Sequence, residues 1–361
     1  MTTASIRTWP RIASLATAVP PHRVPQDEAM DFFQRSFDIP ASRRGRLKQL
    51  FLNAEIETRY AAAPIHWYEQ AHSFELKNDL YIDRAIDLLK QVALDSLAVA
   101  GLTCSDVDAL VTVSSTGVAV PALDVRLMEE LPCRRNVQRL PVFGLGCAGG
   151  ALGLARAAAC ARAQPGSRIL CLVVELCTLT FCRSDRTTAN VVATALFGDG
   201  AAGAVLTTDG PGPAITAWGE HTWPGSLDVM GWHVTQKGLE LQLSRGVPDF
   251  ARQRVRGVTD EFLASVGLEL ADVDEFICHP GGSKVLEALE DAFRLPSGGL
   301  AASREILRDY GNMSAATVLF ILKRVLTTSA AGDGRREGTR RYLMTGLGPG
   351  FSIGYLVLES D

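Results

Sequence analysis

The sequence predicts an α/β fold built twice over, two similar layered halves whose central helices are sandwiched between sheets. Two observations lead there. Apolar strand patterns alternate with helical patterns along the 361 residues, the arrangement in which helices cover the faces of sheets. There is also an internal repeat: residues 101–111, Gly-Leu-Thr-Cys-Ser-Asp-Val-Asp-Ala-Leu-Val, return at 267–277 as Gly-Leu-Glu-Leu-Ala-Asp-Val-Asp-Glu-Phe-Ile. Each copy follows a helical pattern and leads into a strand, so the duplicated unit extends beyond the matched residues.

In chain order, residues 85–100 space their apolar side chains three and four apart, which predicts a helix. The first copy of the repeat follows and enters a strand. Residues 139–145 read as another strand, and 148–163 as a helix of almost nothing but small residues. The apolar run 169–174 is a strand with Glu175 after it. Beyond Ala204-Val205-Leu206, the stretch Thr208-Asp209-Gly210-Pro211-Gly212-Pro213 marks a connection. The predicted halves are therefore 1–208 and 209–361. In the second half, 250–266 repeats the helix, 267–277 the turn and strand, and a segment opening at Asn312 repeats the buried helix. This register sets Gly146-Cys147 almost opposite Gly311-Asn312. Residues 333–341 are dense in charge and read as an exposed, solvated turn.

With 47% hydrophobic residues the chain has ample material for a core. A net charge of -4 argues against a dedicated nucleic-acid binder, which concentrates positive charge. No apolar run approaches the roughly 20 residues of a membrane span, and residues 1–10 lack the apolar core of a signal peptide, so a cytoplasmic protein is expected. Of eight cysteines, Cys104, Cys133, Cys160, Cys171 and Cys278 lie among apolar or small residues, as reduced core thiols do. Cys171, Cys177 and Cys182 match no zinc spacing and have no histidine nearby, so no metal is expected.

Three polar side chains stand where apolar segments end. Cys147, in Gly144-Leu145-Gly146-Cys147-Ala148-Gly149-Gly150, opens the small-residue helix, whose free N–H groups and positive end favour a thiolate. His279 follows a strand and precedes Pro280-Gly281-Gly282; Asn312 stands in Tyr310-Gly311-Asn312-Met313-Ser314. Cys, His and Asn presented this way are the parts of an acyl-transfer site. Each has a plainer reading: a packed thiol, a hydrogen-bonded strand-end histidine, a helix N-cap.

Five ordered motifs then identify a resemblance that covers nearly the whole chain. They are Gly-Cys-Ala-Gly-Gly at 146–150, Ala-Leu-Phe-Gly-Asp-Gly-Ala-Ala at 195–202, His-Pro-Gly-Gly at 279–282, Gly-Asn-Met-Ser at 311–314 and Gly-Leu-Gly-Pro-Gly at 346–350. They resemble the type III polyketide synthases, the chalcone synthase-like enzymes, and residues 114–121 and 343–350 look closest to bacterial and fungal alkylresorcinol and alkylpyrone synthases. The resemblance implies a duplicated thiolase-like fold with α/β/α/β/α layers. It also implies a homodimer acting on coenzyme A thioesters, with no further cofactor and no acyl carrier protein.

By the same resemblance Cys147 carries the chain, and His279 and Asn312 stabilise the thioester and enolate oxygens. Phe197 stands at a gate, although composition alone favours a core aromatic. Pro349 lines the cavity. Ser115, Glu175 and Ser314 hold a water that steers ring closure, or Glu175 only satisfies local hydroxyls. Cys177, Thr180 and Trp232 shape the starter and elongation cavity, and Val120 reaches across the dimer. Arg46 meets coenzyme A, whereas Gln49 and Asn53 stand where two more basic residues are expected, and Arg43, Arg44 and Lys48 could shift the contact by a turn. The expected reaction is repeated decarboxylative condensation of malonyl-CoA onto a long fatty acyl-CoA starter, closing to an alkylpyrone or alkylresorcinol. The alternatives are a primer-loading ketoacyl synthase that uses an acyl carrier protein, and a non-catalytic thiolase-fold binding subunit.

Overall fold

The computed structural model describes residues 8–37, 39–331 and 338–360. Nine strands form one sheet. Across its width they run Glu275–Cys278, Arg340–Gly348, Ser352–Ser360, Ala214–Thr222, Arg11–Ala18, Asp199–Thr207, Ile169–Leu176, Ala109–Val113 and Gln138–Val142. Outward from the middle, both sides follow one plan. Arg11–Ala18 pairs antiparallel with Asp199–Thr207, that with Ile169–Leu176, and that parallel with Ala109–Val113. Ala214–Thr222 likewise pairs antiparallel with Ser352–Ser360, that with Arg340–Gly348, and that parallel with Glu275–Cys278. The first side adds Gln138–Val142 at its outer edge. The two half-sheets, expected as separate layers, are joined at their first strands through Arg11 and Ala214.

The sequence repeat is one local structure made twice. Asp106 accepts the Thr103 N–H at 2.8 Å and Asp272 the Glu269 N–H at 2.8 Å, each closing a 3₁₀ turn before its strand. Asp108 and Asp274 then accept the N–H groups of Arg168 and Arg341, both at 2.8 Å, and tie each turn to a neighbouring strand. The acidic residues of the repeat are thus structural. The helices before it run Phe74–Val99, which begins well upstream of its expected start at 85, and Val247–Ser265, close to the expected 250–266.

At the centre lie two helices of equal length, Gly149–Ala163 and Thr317–Ala331, each entered through a 3₁₀ turn, Gly146–Ala148 and Ser314–Ala316. The matching turns place Cys147 opposite Ala315, so the expected pairing of Cys147 with Asn312 is off by three residues. Ala151, Ala155 and Ala158 of one helix and Val318, Ile321 and Leu322 of the other share a core with Val111, Val173, Met344 and Leu358 from both half-sheets. Alternate strand residues face outward instead. Leu110 and Leu172 pack under Phe74–Val99, and Leu343 and Val357 pack under Val247–Ser265 and Ser283–Phe293. Strands buried on both faces need continuous apolar runs, which these are. The charge-rich 333–341 stretch lies outside the described residues at 333–337. Its last residues are not a solvated turn: Arg340 and Arg341 begin a strand and pair with Glu275 and Glu359.

Candidate active site

Cys147 sits in the turn that feeds the first central helix. That turn needs its glycines: Gly144 and Gly146 have φ of 89° and 48°, and a Cβ on Gly146 would lie 2.6 Å from Pro349 Cδ. The Ser115 hydroxyl accepts the N–H groups of Gly144 at 3.3 Å and Gly146 at 3.1 Å, so Ser115 holds the nucleophile's turn directly. Across from it Cys147 Sγ donates to Ser314 Oγ at 3.6 Å. Ser314 has φ of 47°, a conformation costly for a residue with a Cβ. It is held there by its own N–H, which donates to Asn312 Oδ1 at 2.8 Å. The capping geometry read from the sequence is therefore present, and it leaves the Asn312 amide free to donate elsewhere. Nδ2 makes one long contact, 3.4 Å to Gly281 O.

His279 ends the Glu275–Cys278 strand and is anchored by its N–H to Thr345 O at 2.9 Å. Its ring is 2% exposed, and neither Nδ1 nor Nε2 has a hydrogen-bond partner. Buried polar atoms are seldom left so. A cavity of about 630 Å³ brings Cys147, His279 and Asn312 to one space, with Leu241, Leu243 and Leu347 among its apolar walls. Its mouth carries three cations, Arg46, Arg245 and Lys284. Gln49 and Asn53 line the same mouth and bond each other at 2.7 Å.

Behind this space lies a side cavity of about 70 Å³ lined by Cys177, Thr180, Phe32, Tyr68 and Phe181. Phe197 and Ala193 border both cavities, so the Phe197 ring stands between them. Trp232, on the hairpin strand Met230–Thr235, meets that ring edge-on at 6.4 Å. Trp232 thus touches Phe197 and lines neither space. Pro349 packs on Gly146 instead of lining the cavity, where Leu347 stands. Val120 is 88% exposed and lines neither space.

Burial dominates the electrostatics. It pushes the Cys147 thiol up to about 12, with the Ser314 and Asn312 side chains opposing it and Glu175 adding to it. His279 is pushed down to about 3 by burial. Burial thus favours the neutral form of both groups and opposes the thiolate that the helix terminus favours. Glu175 is fully buried, and burial raises it to about 8. Its Oε2 accepts the Ser115 N–H at 3.1 Å and the Thr116 hydroxyl at 2.8 Å. Ser115 and Glu175 thus meet through backbone, and the hydroxyl on the carboxylate belongs to Thr116. Sequence reasoning missed Thr116, Arg245 and Lys284. Lys284 could have been suspected from its place just beyond His-Pro-Gly-Gly; Arg245 comes to the mouth only by tertiary folding.

Comparisons with known proteins show the family. The family model for chalcone and stilbene synthases, N-terminal domain, matches residues 5–211, and that for the C-terminal domain matches 216–361. A 1,3,6,8-tetrahydroxynaphthalene synthase of Streptomyces peucetius subsp. caesius is 37% identical over 354 positions, covering 96% of this chain and 92% of that protein. A Bacillus subtilis (strain 168) relative is 36% identical over 362 positions, covering 96% and 98%. Among solved structures, the 1,3,6,8-tetrahydroxynaphthalene synthase of Streptomyces coelicolor A3(2), a bacterial type III polyketide synthase, superposes with a TM-score of 0.90 at 26% identity, covering 96% of this chain and 98% of that one. The thiolase-like fold, the paired family models and the convergent cavity leave one assignment: the chain belongs to the chalcone and stilbene synthase family, the type III polyketide synthases, which are acyltransferases.

Proposed function

We propose that this enzyme loads an acyl-CoA on Cys147, extends it with malonyl-CoA, and releases an alkylpyrone or alkylresorcinol. The observation that carries the proposal is the meeting of Cys147, Asn312 and the unpartnered imidazole of His279 in one apolar cavity. Cys147 Sγ attacks the thioester carbonyl, its proton passes to His279, and coenzyme A leaves as the thiol. Burial favours the neutral form of both groups, so the proton moves from the thiol to the imidazole as the sulfur–carbon bond forms, and the imidazolium then protonates the departing coenzyme A thiolate. Malonyl-CoA then loses carbon dioxide. The enolate oxygen takes hydrogen bonds from Asn312 Nδ2 and His279, and the enolate carbon attacks the acyl-cysteine.

Arg46, Arg245 and Lys284 offer positive charge that suits the phosphates of coenzyme A, and we read free coenzyme A thioesters as the substrates, with no acyl carrier protein. We read residues 1–208 and 209–361 as the two functional halves, in a cytoplasmic homodimer; among the described residues no helix is long and apolar enough to cross a membrane. Intact mass after incubation with a long acyl-CoA should show an adduct on the enzyme that Cys147→Ala lacks. Undiminished labelling of Cys147→Ala would remove the nucleophile from this reading.

A second reading is favoured by one observation. The side cavity behind Cys177 is small, and Phe32 and Phe181 meet edge-on there at 5.3 Å. A chain that cannot extend past these rings would be short, as in an enzyme that builds its product from malonyl units alone. Product mass from malonyl-CoA with and without a long starter separates the two.

A further inference from the structure

The turn that ends the Thr188–Leu196 helix carries two demands of the reaction at once. It leads into Phe197, whose ring stands between the cavities. It is also bridged to Asn312: the Asn312 N–H donates to Leu196 O at 2.8 Å, and the Gly198 N–H to Asn312 O at 3.0 Å. A Cβ on Gly198 would lie 2.3 Å from Tyr310 O, and one on Gly311 would lie 2.9 Å from Leu196 O, so the two backbones are as close as they can be. A displacement of Phe197 is then a displacement of Asn312.

Arg59 grips this turn from beneath. It lies on the Thr58–Ala61 strand and is 3% exposed. Its Nη1 donates to Thr194 O at 2.6 Å and Phe197 O at 3.2 Å; its Nη2 donates to Ala195 O at 3.0 Å and to Gln26 Oε1. These carbonyls are ones a helix C-terminus leaves without intrahelical partners, at the negative end of its dipole. A planar, always charged fork answers several of them in fixed geometry, which a lysine ammonium does not. Gln26 completes the clamp, donating from Nε2 to Phe51 O at 2.9 Å and Ala195 O at 3.3 Å.

We propose that Arg59 is a positioning residue for the condensation, fixing through one turn both the Phe197 ring between the cavities and the Asn312 amide at the enolate. The proposal rests on the reading of Asn312 as enolate donor. It is tested on the full-length enzyme by malonyl-CoA decarboxylation, measured as carbon dioxide release for Arg59→Lys, Asn312→Ala and the double variant. Arg59→Lys should lower kcat by about tenfold or more, with KM for malonyl-CoA within about twofold of the parent. Cys147 should still acylate by intact mass. In the Asn312→Ala background the same change should cost nothing further, because the amide it positions is gone.

Losses that multiply in the double variant, or an unchanged kcat in Arg59→Lys, would overturn the proposal. Decarboxylation at the parental rate by Asn312→Ala would instead sink the donor reading, and this inference with it; the two failures are read from different variants. If Arg59→Lys melts below the assay temperature, Gln26→Leu replaces it, loosening the fork while leaving Arg59 in place. It should show the same lack of additivity with a smaller loss, and multiplicative losses there overturn the proposal equally.

Discussion

Glu175 is the residue at which burial and charge oppose each other most plainly. In the folded protein it titrates near 8, against an ordinary value of 4.5, because it is desolvated. Between those values the native state keeps a proton that the unfolded chain has released, so stability falls as pH rises from about 4.5 to about 8. Glu175→Gln removes that titration while keeping the shape and one acceptor. Its melting temperature relative to the parent should rise from pH 5 to pH 8.5, by the equivalent of a few kcal/mol at about 1.4 kcal/mol per pKa unit. Asp199, raised by burial to about 7, acts in the same sense and is unchanged in both proteins. His279 works at the other edge: its folded value near 3 against an ordinary 6.5 means stability is lost as pH falls through that window. A melting difference that stays flat across pH would show that Glu175 is ionised in the fold.

At the scale of elements, the central helix pair explains why the nucleophile's helix is so poor in large residues. A Cβ on Gly150 would lie 2.2 Å from Ala315 O, and one on Gly149 would lie 2.9 Å from Val113 Cγ1. Gly150→Ala is therefore expected to destabilise by about 1 to 3 kcal/mol, an overpacking cost readable in denaturant melts. The side cavity makes a second test: Cys177→Phe should fill it and shorten the acyl-CoA starters accepted, without preventing acylation by short ones. An unchanged chain-length profile would mean that the chain lies elsewhere. Much of this level was legible in the sequence. The repeat announced two equivalent turns because Asp106 and Asp272 close them by local hydrogen bonds, each to the N–H three residues before it. The motif residues announced Cys147, His279 and Asn312 because each closes a strand or opens a helix. What could not be read was whatever depends on contacts between distant segments: the three-residue offset of the helix starts, the edge-on packing of Trp232 on Phe197, the arrival of Arg245 at the mouth, and the desolvation that raises the Cys147 thiol.

For the whole molecule, the outer edge of the nine-stranded sheet is its least finished surface. Gln138–Val142 pairs on one side only, with Ala109–Val113, and its burial pattern is exposed almost throughout. Leu140 on this strand is 38% exposed and Phe143, just after it, 61%, so apolar side chains stand where an open strand edge already invites pairing. A second copy presenting the same edge would cover both at once, which is the closed twofold arrangement most soluble oligomers adopt. Sedimentation is expected to give about twice the chain mass of 38.8 kDa. Phe143→Asp should shift it toward the monomer, since a carboxylate at a buried contact is left unpaired. Phe143 also runs within four residues into Cys147, through the turn that Ser115 holds. Losing the dimer should therefore lower the rate of Cys147 acylation as well as the mass, and dilution of the parent enzyme should lower specific activity in step with dissociation. A Phe143→Asp protein that sediments as a monomer yet acylates Cys147 at the parental rate would separate the two, leaving the turn fully organised by Ser115 and the glycines within a single chain.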